Sequence, residues 1–185
     1  MKNNNIDLYI NKKLKEISDN NQFRQVFDVH RKPRSKVIIN NKSVISFSCN
    51  DYLSLSFNKR VINASKAATD KFGVGAGASR LITGNTSLYA RLERKIKNLK
   101  KTPACCVFGS GFLANIGVIS SLMSKKDLIL IDELSHASTF MGAKLSKSRV
   151  LKFKHNDVND LEKKLIKFRN NYDKCMILTE GVFSM

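Results

Sequence analysis

No apolar run in these 185 residues approaches the roughly 20 needed to cross a bilayer, so a membrane span is not expected. Proline is scarce: Pro33 and Pro103 are the only two, and few positions are forced to break a regular element. The stretch Met1–Asp7 carries charge but has no apolar core after it, so a secretory leader is not expected. Cys49, Cys105, Cys106 and Cys175 show neither a disulfide-scaffold spacing nor a zinc-site spacing. A reducing cytoplasm is the simplest setting for them. Three dispersed histidines, His30, His136 and His155, do not make a metal site. There is no internal repeat and no low-complexity linker.

Acidic residues are also few. Fifteen Asp and Glu face 33 Lys and Arg, a net charge of +18. The basic residues are spread along the whole chain. Pairs such as Lys12-Lys13, Lys100-Lys101, Lys125-Lys126 and Lys163-Lys164 fall in turns or on expected exposed faces. A nucleic-acid site needs clustered cations with exposed aromatics, and that grouping is missing, so no nucleic-acid partner is expected. The charge favours weak, salt-sensitive attachment to anions.

What is present reads as an α/β protein. The hydrophobic fraction of 42% is enough for a core. Ile6, Ile10, Leu14 and Ile17 recur at helical spacing, and the polar stretch 18–22 ends that helix. Val37–Ile39 and Val44–Phe47 flank an Asn-rich turn and predict a β-hairpin. Residues 1–57 are therefore expected to form a helix-and-hairpin arm, and residues 58–185 a larger domain. A helix is expected over 59–72, then a glycine-rich stretch, Gly73 to Arg80, and a helix marked by Leu88, Leu92, Ile96 and Leu99. Strand and helix then alternate. Expected strands are 104–108, 128–131, 150–153 and 175–178, with an apolar helix from 111 to about 123 and another capped by Asp157. This alternation implies a mainly parallel sheet, whose active groups gather at the carboxyl ends of its strands.

Two places carry candidate chemistry. Gly109-Ser110-Gly111-Phe112 joins an expected strand to a helix N-terminus, where free N–H groups and the helix dipole favour an anion. A tight turn without a ligand accounts for the same residues. His136 follows a strand end, where an imidazole could stack on a flat ring or move a proton; a loop histidine bonded to backbone is the plainer alternative. His155 is explained as part of a helix start and is given no catalytic role. Asp132, Glu133 and Glu180 lie at strand ends, and position alone leaves their roles open.

Seven segments in order resemble the α-oxoamine synthases, a family of fold-type-I pyridoxal-phosphate enzymes. They are the segment 46–55, SFSCNDYLSL; the glycine-rich stretch with Leu81 to Thr86; a helix bearing Leu92-Glu93; Gly109 to Asn115, which matches the family's SGFxAN; 132–138, DELSHAS; 155–158, HNDV; and 179–185, TEGVFSM. The match runs from about Phe23 to the end. TEGVFSM and RLITGN resemble the 8-amino-7-oxononanoate synthase branch, with glycine C-acetyltransferase and 5-aminolevulinate synthase as neighbouring alternatives.

The resemblance implies an incomplete large domain of a fold-type-I transferase, with pyridoxal 5'-phosphate as cofactor. Its phosphate would be bound by the N–H groups of Gly111 and Phe112. His136 would stack on its ring and Ser184 would bond near its ring oxygen. Arg24 would meet a substrate carboxylate, a task that suits a planar guanidinium, and Asn50 would be a substrate-site residue. The implied reaction joins L-alanine to a pimeloyl-thioester with loss of carbon dioxide, a step of biotin synthesis. The implied partner is a second copy, or a second chain carrying the C-terminal half. Ser54 stands where the family usually has Gly, and Arg80 where some members have Gly. The family's pyridine-nitrogen aspartate, second histidine and Schiff-base lysine would lie beyond Met185. The chain alone is therefore expected to be inactive and poorly soluble. A non-catalytic basic remnant that binds cofactor or nucleic acid is the competing expectation from another class.

Overall fold

The computed structural model of the chain describes residues 5–184. They fall into two compact units, Met1–Gly75 and Ala76–Met185.

In the first unit, α1 spans Asn5–Asp19 and its apolar stripe, Ile6, Ile10, Leu14 and Ile17, is exposed. The strands β1 (His30–Arg31), β2 (Lys36–Ile39) and β3 (Lys42–Ile45) form an antiparallel sheet in the order β1-β2-β3. The expected hairpin is β2–β3, with its second strand at Lys42–Ile45 instead of Val44–Phe47. Its turn residues Asn40 and Asn41 have φ of 50° and 61°, a conformation Asn tolerates better than most residues and one that matches the twist of paired strands. The helix α2 covers Lys59–Phe72, as its pattern predicts, and the Asn58 side chain caps it by accepting the Arg60 N–H at 2.9 Å.

The second unit holds α3 (Ser87–Lys100), α4 (Gly111–Leu122), β4 (Leu128–Asp132), α5 (Ala137–Leu145), β5 (Arg149–Phe153), α6 (Val158–Phe168) and β6 (Cys175–Leu178). The sheet is parallel in the order β5-β4-β6, with Leu130 opposite Leu151 on one side and Ile177 on the other. All five residues of β4 are buried, which is why Leu128–Ile131 is continuously apolar instead of alternating. The strand's two-residue period still sorts the packing. Ile129 and Ile131 face Ile119, Met123 and Ala143 of the α4–α5 layer. Leu128 and Leu130 face Phe153 and the α6 residues Leu161, Leu165 and Phe168. Helices α4 and α5 touch closely: a Cβ at Gly142 would lie 2.7 Å from the Asn115 carbonyl oxygen.

One expected strand is absent. Residues 104–108 form no ladder among the described residues, and only Cys105 and Val107 are half-buried. The apolar run reads as a buried strand, but side chains bond the Val107 backbone where a strand neighbour would: Glu93 accepts its N–H at 3.0 Å and Arg80 donates to its carbonyl at 3.1 Å.

Candidate functional site

The carboxyl end of β6 and the N-termini of α4 and α5 open onto one cleft of about 730 Å³. Gly111, Phe112, Asn115, His136, Ser138 and Glu180 are among its lining residues.

The α4 end comes straight from its sequence. Ser110 is extended, its hydroxyl accepts the Leu113 N–H at 3.1 Å, and its carbonyl takes the Ala114 N–H at 3.0 Å. The first amides of a helix have no intrahelical acceptor, so those of Gly111 and Phe112 remain for an anion. A Cβ at Gly111 would meet nothing within 4 Å, so a side chain there would project into open space at this helix end.

His136 is the N-cap of α5. Its Nδ1 accepts the Ser138 N–H at 3.1 Å and lies 2.7 Å from the Ser138 hydroxyl, which in turn accepts from Asn115 Nδ2 at 2.9 Å. Because the Ser138 backbone N–H donates to Nδ1, the neutral ring carries its own proton on Nε2. The His136 backbone N–H donates to the Glu180 carboxylate, which ties the loop after β6 to the start of α5. Ser138, itself held by Asn115, thus fixes the imidazole, and Glu180 fixes the backbone that carries it.

Behind the cleft, Asp132 is fully buried at the end of β4. Burial opposes its charge, but N–H groups of Asn156 and Leu134 and the His155 ring outweigh that and hold its carboxyl below the usual range. The distances are 3.0 Å for Asn156, 2.9 Å for Leu134 and 3.0 Å for His155 Nδ1. The His155 ring also meets Phe183 edge-on, with centroids 4.5 Å apart. His155 does not line the cleft; it connects the loops after β4 and β5 to the segment after β6.

Gly111, Phe112 and His136 therefore come together at one cleft. Ser184 is exposed and does not line it. Arg24 and Asn50 are exposed residues of the first unit; Arg24 borders a surface depression with Ile17 and Phe23. Sequence reasoning passed over Asn115 and Ser138, which hold the imidazole. A His followed two residues later by Ser, at a helix start, was the available signal. No group of three metal-type ligands occurs among the described residues, and no described helix is long and apolar enough to cross a membrane.

Residues 42–185 match the family described as aminotransferase class I and II. An 8-amino-7-oxononanoate synthase of Beijerinckia indica is 42% identical over 182 residues, 98% of this chain and 47% of that protein. The chain spans about half the length of the curated relatives it matches. Among solved structures, a serine palmitoyltransferase from S. paucimobilis with bound PLP–myriocin aldimine superposes with a TM-score of 0.82 at 29% identity, over 95% of this chain and 44% of that one. An 8-amino-7-oxononanoate synthase from Francisella tularensis superposes with a TM-score of 0.58 at 34% identity, over 75% of this chain and 37% of that one. The architecture is thus that of the fold-type-I transferases. The chain belongs to the aminotransferase class I and II family and is similar to 8-amino-7-oxononanoate synthases.

Proposed function

We propose that this chain carries the phosphate- and ring-binding part of a pyridoxal-phosphate acyltransferase that condenses L-alanine with a pimeloyl-thioester to 8-amino-7-oxononanoate. The observation that supports the reading most is the convergence of the α4 N-terminus, His136 and the loop after β6 on one cleft. The residues fit the cofactor. A phosphate dianion suits the free amides and positive dipole end at Gly111 and Phe112, and an exposed imidazole held at Nδ1 leaves a flat face for a pyridine ring. When bound, the cofactor acts as an electron sink for the amino acid's α-carbon.

The protein's own part is binding, orientation and charge. The amides of Gly111 and Phe112 anchor the phosphate. Ser138 and Asn115 stop the His136 ring from turning, and Nε2–H is left as its one donor. Glu180 holds the His136 backbone. Roles for Ser184 near the ring oxygen, and for Arg24 and Asn50 toward substrate, rest on the resemblance alone. A partner copy, or a second chain bringing the remaining cofactor contacts, belongs to the same proposal.

The test is titration of the chain with pyridoxal phosphate by equilibrium dialysis, for the natural chain and for His136→Ala. Saturable binding at one site, weakened about tenfold or less by loss of one stacking contact, is expected. Absence of saturable binding sinks the reading. Incubation with L-alanine and a pimeloyl-thioester, with mass detection of 8-amino-7-oxononanoate, then reports whether the chain turns over unaided.

A further inference from the structure

The segment 104–108 forms no strand, yet it delivers the turn that starts α4, so something else must fix it. Arg80 and Glu93 do so. One Glu93 carboxylate oxygen, Oε1, accepts both the Val107 N–H at 3.0 Å and Arg80 Nη1 at 2.8 Å. The same Nη1 donates to the Val107 carbonyl at 3.1 Å. Both backbone groups of Val107 are thereby bonded, as they would be inside a sheet.

Arg80 is itself held. Its Nε donates to Asn85 Oδ1 at 3.0 Å, and its guanidinium lies 4.3 Å from the Tyr89 ring centroid. It sits in a tight loop closed at Gly84, where a Cβ would fall 1.8 Å from the Ala78 carbonyl oxygen. From the other side, Phe108 lies against α4 at Gly117, where a Cβ would come 3.0 Å from its ring. Hydrogen bonding from Arg80, and then from the Val107 amide, keeps Glu93 charged below the usual carboxylate range.

We propose that Arg80 and Glu93 are positioning residues for the phosphate cradle: by clamping both backbone groups of Val107, they aim the Gly109-Ser110-Gly111 turn and the amides of Gly111 and Phe112. This rests on the cofactor reading above. Arg80 and Glu93 touch no ligand themselves and act through three to five residues of backbone. Amide donors aimed at an anion lose strength steeply when displaced, so a small shift of the turn weakens phosphate binding and spares ring binding.

The test compares pyridoxine 5'-phosphate with pyridoxine, which lack the aldehyde and cannot condense with surface lysines. Dissociation constants for both are measured on the full chain by calorimetry at about 0.15 M salt, where distant surface charges are screened. In Glu93→Ala, the preference for the phosphorylated ligand falls about fivefold to tenfold while pyridoxine binding holds, since charge-assisted bonds to phosphate are among the stronger ones. The sign is diagnostic. Removing Glu93 makes the chain more basic and frees Arg80, so general electrostatics predicts a greater preference for phosphate. An unchanged or increased preference, or equal loss of both ligands, overturns the proposal. Glu93→Gln keeps an acceptor for the Val107 amide and should lose less; it supplies the same comparison if Glu93→Ala does not fold. If the natural chain itself shows no preference for the phosphorylated ligand, the cofactor reading fails first and this inference fails with it.

Discussion

At the scale of single residues, Asp132 is the clearest case of a charge that the fold arranges. It is fully buried, yet its hydrogen bonds keep the carboxyl pKa below the ordinary value, so the folded state prefers it ionised. Its contribution is complete above the unfolded value of about 3.9 and is lost as pH falls through the lower folded value. Urea midpoints at pH 7 and pH 3.5 should therefore differ less for Asp132→Asn than for the natural chain. An equal fall in both would mean that Asp132 does not link folding to protons. Ser138 makes a second prediction. Ser138→Ala removes the hydroxyl between Asn115 and His136, costs about 1 kcal/mol of stability and weakens pyridoxine binding without changing the preference for its phosphate. A change confined to that preference would contradict the assignment of Ser138 to the ring.

At the scale of elements, most of the pattern was legible. The helix 59–72, the Asn40-Asn41 turn of the β2–β3 hairpin, the three strands of the parallel sheet and the Asp157 cap of α6 all stand where periodicity and turn residues put them. Local signals are strong there because each element buries one face or ends on a residue with a specific backbone preference. The run 104–108 escaped that logic. Its composition suits a buried strand, but ladder formation needs a neighbouring strand, and Glu93 and Arg80 supply the hydrogen bonds instead. The glycines of the layer α4–α5 give a paired prediction. Gly142→Ala places a Cβ 2.7 Å from backbone oxygen and should cost about 1–3 kcal/mol in denaturant unfolding. Gly111→Ala meets open space and should leave the unfolding midpoint nearly unchanged, while weakening the binding of pyridoxine 5'-phosphate. The reverse ranking would show that α4 and α5 do not pack as described.

At the scale of the whole molecule, burial is uneven. Of the buried hydrophobic residues, all but Val37 belong to the second unit, and four that are fully buried lie in β4. Amide exchange should be slowest along Leu128–Ile131 and fast through the first unit, because exchange protection follows local burial. Slow exchange in α1 would overturn this. Large apolar side chains are also open to solvent, among them Val26 at 99%, Phe47 at 96% and Leu81 at 92%. Such exposure marks surfaces that associate, so sedimentation should show self-association as concentration rises. A monodisperse monomer at all concentrations would count against it.

The class of fold, most of the elements and the candidate residues Gly111, Phe112 and His136 were legible in the sequence, because period, caps and glycines act locally. The family resemblance was legible for the same reason: its motifs are short runs at loop and strand ends. Tertiary structure alone decided the strand order β5-β4-β6, the exposure of Ser184, the lock of Asn115 and Ser138 on His136, and the Asp132–His155 pair. The same holds for Arg80 and Glu93, which lie 27 and 14 residues from the backbone they clamp. Contacts across such separations depend on how layers pack, and no local pattern in the chain encodes which side chain will meet which carbonyl.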